Sequence, residues 1–226
     1  MPLLGAAAML LSFDVAAGHV DEHDRWHTHE HLPERLAIPG FLRGTRWVAA
    51  EGSPRYMVLY EVESLGTLES TDYRTRLDHP SPWTARMMPH YRGMSRGLCA
   101  VLGSFGCGQG GAAALFRFSP SAAHPSRLHA RLLQELLPGV PTTPGLLGAH
   151  LLQGARAAAV TNEQRIRGAD SGVDNALVVT GYDAGAVSAW AEELASPGGP
   201  LAGEVSELAW AGFRLACSLS PADLGA

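Results

Sequence analysis

Residues 6–42 read AAAMLLSFDVAAGHVDEHDRWHTHEHLPERLAIPGFL. An apolar run over 6–15, a helical pattern over about 19–36 and a Pro39-Gly40 turn into the apolar Phe41-Leu42 give the order strand, helix, turn, strand. The same order restarts later in the chain. Ala113-Ala114-Leu115-Phe116-Arg117-Phe118 lies 105 residues after Ala8-Met9-Leu10-Leu11-Ser12-Phe13, and Pro144-Gly145-Leu146-Leu147 lies the same 105 after Pro39-Gly40-Phe41-Leu42. Two anchors agreeing on one offset, with a helix between them, point to a tandem duplication.

Between the anchors, apolar runs and turns predict strands over 41–50, 55–63 and 94–103, a short helix over 65–70 after Ser64, and a helical piece from Pro82 to His90. The resulting β-α-β-β-α-β order is the ferredoxin-like unit. Gly103 to Gly111 (GSFGCGQGG) has the composition of a flexible linker. Setting the connection at 105–111 divides the chain into a first repeat, 1–104, and a longer, degenerate second repeat, 112–226. In the second repeat, 156–174 reads as a polar, Gly-containing mobile loop, followed by strand 176–182, helix 184–195 and strand 207–217.

Composition narrows the chemistry. The chain has 226 residues, is 46% hydrophobic and 17% charged, and carries a formal charge of −5, so it suits globular folding and argues against a nucleic-acid partner. All 17 basic residues are Arg, which excludes a lysine Schiff base and a Walker-type phosphate loop. Cys99, Cys107 and Cys217 have no CxxC spacing, so neither a disulfide framework nor a zinc ribbon is indicated. The opening MPLLGAAAMLLSF lacks a basic start and reads as a buried strand; no run of 18 apolar residues offers a membrane span, and a reduced cytoplasm is the default. No Ser-His-Asp or Gly-x-Ser-x-Gly pattern supports hydrolase chemistry.

Residues 19–39 hold half of the ten histidines. At about 100° per residue, Val20, His23, His27, His31 and Glu34 share one helix face, with Trp26 and Glu30 at its edge. At the 105-residue offset, His23, His27 and His31 become Leu128, Leu132 and Leu136, and Trp26 becomes Arg131. The second helix therefore presses a leucine stripe on its sheet where the first sets imidazoles. Burying three imidazoles forgoes roughly 1.5–3 kcal/mol of apolar burial at each position, and each needs hydrogen-bond partners. This face is read as the wall of a ligand pocket.

His31 is the first candidate acid/base, with Glu30 or Glu34 orienting its ring. Pro33 removes the amide that would bond the carbonyl of His29, so the helix is expected to bend or end there. Tyr56 and Tyr60 share one face of their strand. Facing the helix, the Tyr60 hydroxyl meets His31; facing the barrel interior, both are core. Trp26, His23, His27, Trp83 and His90 complete the candidate binding set, with Tyr73 and His79 nearby in sequence. His23 and His27 have the i, i+4 spacing of a helical metal pair. His23 and His31, however, lie about 12 Å apart in rise, so no single ion spans all three and no metal site is assigned.

Trp26 with Glu30-His31-Leu32-Pro33-Glu34-Arg35 and Pro39-Gly40-Phe41, then Glu51-Gly52-Ser53-Pro54, Tyr56, Leu59-Tyr60-Glu61, Pro82-Trp83-Thr84 and Arg86-Met87, resembles the EthD-like branch of the dimeric α+β barrel superfamily. The resemblance covers roughly 8–102; the second half matches only in pattern. It implies a β-barrel made of two ferredoxin-like sheets with a small ligand held between a sheet and its helices. Here both sheets come from one chain, giving an α+β fold of two tandem ferredoxin-like repeats in a pseudo-dimeric barrel. The superfamily includes cofactor-free monooxygenases, isomerases, polyketide cyclases and haem-binding members. The expected function is therefore a cofactor-independent enzyme acting on an aromatic or polyketide-like compound. The alternatives are a haem protein with a helix histidine as axial ligand and a non-catalytic ligand-binding or stress-accessory protein. Strand edges and the family habit leave room for a homodimer.

Overall fold

The computed structural model describes residues 2–121, 125–155 and 161–225. The first repeat comprises β1 (Ala7–Val15), α1 (Val20–Trp26), a π-helical turn (His27–His31), α2 (Leu32–Leu36), β2 (Phe41–Val48), β3 (Tyr56–Val62), α3 (Thr71–Asp78), α4 (Pro82–Met87) and β4 (Tyr91–Gly106). The second comprises β5 (Ala112–Pro120), α5 (Pro125–Arg131), a π-helical turn (Leu132–Leu136), β6 (Leu146–Gly154), α6 (Asn162–Arg167), β7 (Asn175–Gly181), α7 (Ala184–Ala195) and β8 (Val205–Leu219).

The strands close into one antiparallel barrel ordered β1-β3-β2-β8-β5-β7-β6-β4. Each repeat contributes the same ferredoxin-like sheet, β4-β1-β3-β2 and its counterpart β8-β5-β7-β6. The halves join along β2–β8 and β4–β6, so the sheet edges of each repeat are paired within the chain. Alternation along the strands sorts side chains into three cores. Ala8, Leu10, Met57, Leu59, Leu115, Val178 and Phe213 fill the barrel. Met9, Leu11, Phe13, Tyr56, Val58 and Tyr60 face the helices of the first repeat, and Ala114, Phe116, Leu151 and Val179 face those of the second. The tyrosines of β3 therefore lie on the helix side.

The anchor turns have a backbone reason for their glycines. Gly40 and Gly145 both adopt positive φ, 88° and 89°, and a Cβ at either would strike Thr67 or Ala186. Three expectations need correction. Of the bend or end expected at Pro33, the end does not occur: the amide of Leu32 reaches back to the His27 carbonyl, and the wider turn makes room for the proline ring. β4 pairs with β6 as far as Gly106, four residues into the Gly-rich segment, because those glycines lie in a ladder. The segment 161–174 is not a loose loop. It holds α6, closed by a Thr161–Gln164 capping box, and Ser171 then bonds Met94 and Arg96 on β4. Residues 156–160 of that expected loop lie outside the described residues.

Candidate functional site

α1, the π turn and α2 lie across β1 and β3, and α6 from the other repeat closes the far side. Between them is a cavity of about 30 Å³, room for one or two waters. Met9, Leu11, Phe13, Val58 and Tyr60 form its floor, His27, His31 and Arg35 its wall, and Thr161, Glu163, Gln164 and Arg167 its roof. The i, i+4 spacing stacks His27, His31 and Arg35 along one side, with the His27 and His31 rings 5.5 Å apart.

Four buried polar atoms on this lining have no hydrogen-bond partner among the described residues: His27 Nδ1, His31 Nδ1, Arg35 Nη1 and the Tyr60 hydroxyl. Folded proteins leave few such groups, because each costs about 1–3 kcal/mol. Burial pushes the pKa values of His27 and His31 well below the usual imidazole range, helped by the positive charges nearby, so both rings are neutral at pH 7. Burial also raises the Tyr60 hydroxyl, which keeps its proton as a donor. For Arg35, burial opposes the charge, but Glu163 together with the Tyr73 and Tyr60 hydroxyls more than offsets it, and Arg35 Nη2 donates to Glu163 Oε1 at 2.5 Å.

The other sequence candidates divide. Trp26 is fully buried behind His31, ring to ring 4.4 Å, and forms the back of the site. Its indole N–H reaches Glu30 Oε1 at 3.1 Å and Thr84 Oγ1 at 3.3 Å. Glu30 also accepts from Ser81 Oγ at 2.5 Å, so it fastens the helix to α4 and does not orient His31. Glu34 pairs instead with Arg76. His23 and Tyr56 sit one turn away in a separate cluster, where the Tyr56 hydroxyl donates to Asp24 Oδ1 at 2.9 Å and His23 Nδ1 lies 3.3 Å from the same oxygen. Burial lowers the His23 pKa and pushes Tyr56 up to about 12. Trp83 donates to Glu22 on the outer side of α1, and His90 stacks on His19, so neither reaches the cavity. Among the described residues no group of three His, Cys, Asp or Glu side chains is arranged for a metal ion. No described helix is long and apolar enough to cross a membrane.

No protein-family model matches the chain, and no curated protein matches it. Solved structures do. An anthrone oxidase-like protein superposes with a TM-score of 0.69 at 12% identity, over 100% of this chain and 98% of its own. A Lactobacillus acidophilus protein described as a candidate monooxygenase gives 0.60 at 7% identity, over 95% and 96%. A haem-binding protein of Thermus thermophilus gives 0.52 at 9%, over 99% and 96%. The fold is the dimeric α+β barrel, completed within one chain. At these identities the likeness reaches the barrel and stops there.

Within this barrel, sequence reasoning missed Arg35, Glu163 and Arg167. Arg35 carries a signal: it continues the His27, His31 spacing, and the 105-residue offset places Val140 opposite it. Glu163 carries less. The Thr161-x-x-Gln164 pattern announces a helix start, but nothing in a single sequence says that the second repeat's insertion closes the first repeat's site.

Proposed function

We propose that the barrel is a cofactor-independent enzyme that binds an aromatic or polyketide-like compound between β1/β3 and the α1–α2 helix, with His31 as acid/base. The supporting observation is that four residues lining one cavity, His27, His31, Arg35 and Tyr60, each carry a buried polar atom without a partner. A neutral His31 accepts a proton from an acidic C–H or O–H of the substrate. Tyr60 and Arg35 then meet the oxygen on which negative charge develops, and Trp26 holds the His31 ring from behind. Ligand entry requires α6 to part from α2, since about 30 Å³ holds only water. The EthD-like assignment is supported by the meeting of two of its motif segments, Trp26 with Glu30 and Thr84 of Pro82-Trp83-Thr84, in one hydrogen-bonded cluster.

Anthrone is the probe, with dioxygen as oxidant: one anthrone and one O₂ give anthraquinone and water. Wild type is expected to form anthraquinone, and His31→Leu to lose at least about 100-fold in rate with no fall in its melting temperature. Retained activity in His31→Leu refutes the assignment of the base. A thermal shift with anthrone but no product favours a non-catalytic binder. Haem is the second reading, favoured by imidazoles with unpartnered nitrogens. A porphyrin, like anthrone, would need α6 to part from α2, and added haem giving no Soret band removes that reading.

A further inference from the structure

We infer, building on that pocket reading, that the cavity is made for a small organic anion, a carboxylate or phenolate, and that the Glu163 carboxylate holds the anion's place in the empty protein. Arg35 is 1% exposed and uses only Nη2 on Glu163; Nη1 is left without a partner. The two residues come from different repeats, 128 positions apart. A buried ion pair is a poor source of net stability compared with well-packed hydrocarbon, and the second repeat has Val140 at the position of Arg35.

The charge around the cavity is one-sided. Arg35, Arg96 and Arg167 line it against a single carboxylate, Glu163. Arg167 is neutralised by Asp170 at 2.6 Å, while Arg96 donates to the uncharged Tyr73 hydroxyl. With Glu163 swung out, the cavity carries excess positive charge beside an unpartnered guanidinium, the arrangement that takes a planar oxyanion through paired N–H donors. The neutral His27 and His31 add no competing charge, and Tyr60 offers a hydroxyl to the second oxygen. Glu163 would swing out between two anchored points of the backbone. Asn162 is tied to Asp78 at 2.8 and 3.1 Å, and Ser171 to Met94 at 2.9 Å, on either side of it.

Benzoate and benzamide share a shape and differ in charge, so calorimetric titration of wild type and Glu163→Gln with both is the test. Wild type is expected to bind benzoate at least tenfold tighter than benzamide, with shifts in the His27 and His31 imidazole signals and faster amide exchange in 161–167. Glu163→Gln, freed of the internal competitor, is expected to bind benzoate a further tenfold tighter without that change in exchange. Equal affinity for the two probes overturns the anion assignment and leaves the pocket reading standing; binding of neither overturns both. Weaker benzoate binding by a folded Glu163→Gln overturns the placeholder. The wild-type comparison decides the charge question even if the variant does not fold.

Discussion

The two repeats build the same four-stranded sheet and the same π-turned first helix, and fill them differently. Both helices pass through a π turn at equivalent positions, His27–His31 and Leu132–Leu136, and both follow it with a proline, Pro33 and Pro138. The widened turn therefore belongs to the fold, set by a residue with no amide to give, and is not itself a mark of function. The side chains make the difference. Where the first repeat has His27, His31, Arg35 and Tyr60, the second has Leu132, Leu136, Val140 and Val179, the last placed by strand register opposite Ala114 as Tyr60 is opposite Met9. One half has a dry core and the other a polar hole, on one scaffold.

The sharpest way to break this contrast is to give the first repeat the second's residue at position 35. Arg35→Val leaves the Glu163 carboxylate, 3% exposed, without its partner. Losing one member of a buried pair is expected to cost about 3–5 kcal/mol, read as a fall in the denaturation midpoint. Adding Glu163→Leu is expected to recover most of that loss, because an apolar pair of similar volume replaces the charges. A cost under about 1 kcal/mol for Arg35→Val shows that Glu163 leaves the cavity freely in solution.

Exchanging residues between the helices tests the rest of the lining. His27→Leu removes an orphan imidazole from a fully buried site and is expected to stabilise the protein by about 1–2 kcal/mol. Leu132→His, the reciprocal change, buries a polar ring among apolar neighbours and is expected to destabilise by about 2–3 kcal/mol. Both follow from chemical denaturation curves. If His27→Leu destabilises, the imidazole has a partner in solution and the polar hole is a satisfied core.

The architecture was legible because the duplication places its anchors at turns that only Gly40 and Gly145 can make, so the offset survives where other residues have diverged. The histidine face was legible for the same reason, since the leucine stripe supplies the comparison. The face of β3 was not, because Tyr56-Met57-Val58-Leu59-Tyr60 is apolar on both sides, as a strand between a barrel core and a helix layer must be. The roof was also hidden. Glu163 and Arg167 look like ordinary helix-surface charges, and what makes them part of the site is a contact across the repeats that no local pattern records. Glu30 misled for a simpler reason: its neighbour in sequence, His31, points elsewhere on the helix, and its oxygen is taken by Trp26, Ser81 and Thr84.

The smallest effect is also the one most specific to the imidazoles. His27 and His31 titrate well below 6.5 when folded, whereas the unfolded chain holds them at the ordinary value. Well above pH 6.5 both states are neutral and the rings add no pH dependence. Below it the unfolded state binds protons that the folded state refuses, so stability falls as pH drops toward the folded values. Between pH 7 and 6 each ring is expected to remove about 0.7 kcal/mol. His150, lowered to about 4 inside the barrel, adds a similar slope of its own, so wild type alone does not isolate the pair. The His27→Leu/His31→Leu double variant does, because it keeps His150 and His23 and loses only the cavity rings. Its stability is expected to fall less steeply than wild type over that interval, by about 1.4 kcal/mol for the two. Parallel curves would mean that the rings accept protons in the folded protein, and a wider, water-exchanging cavity would then replace the narrow one between α2 and α6.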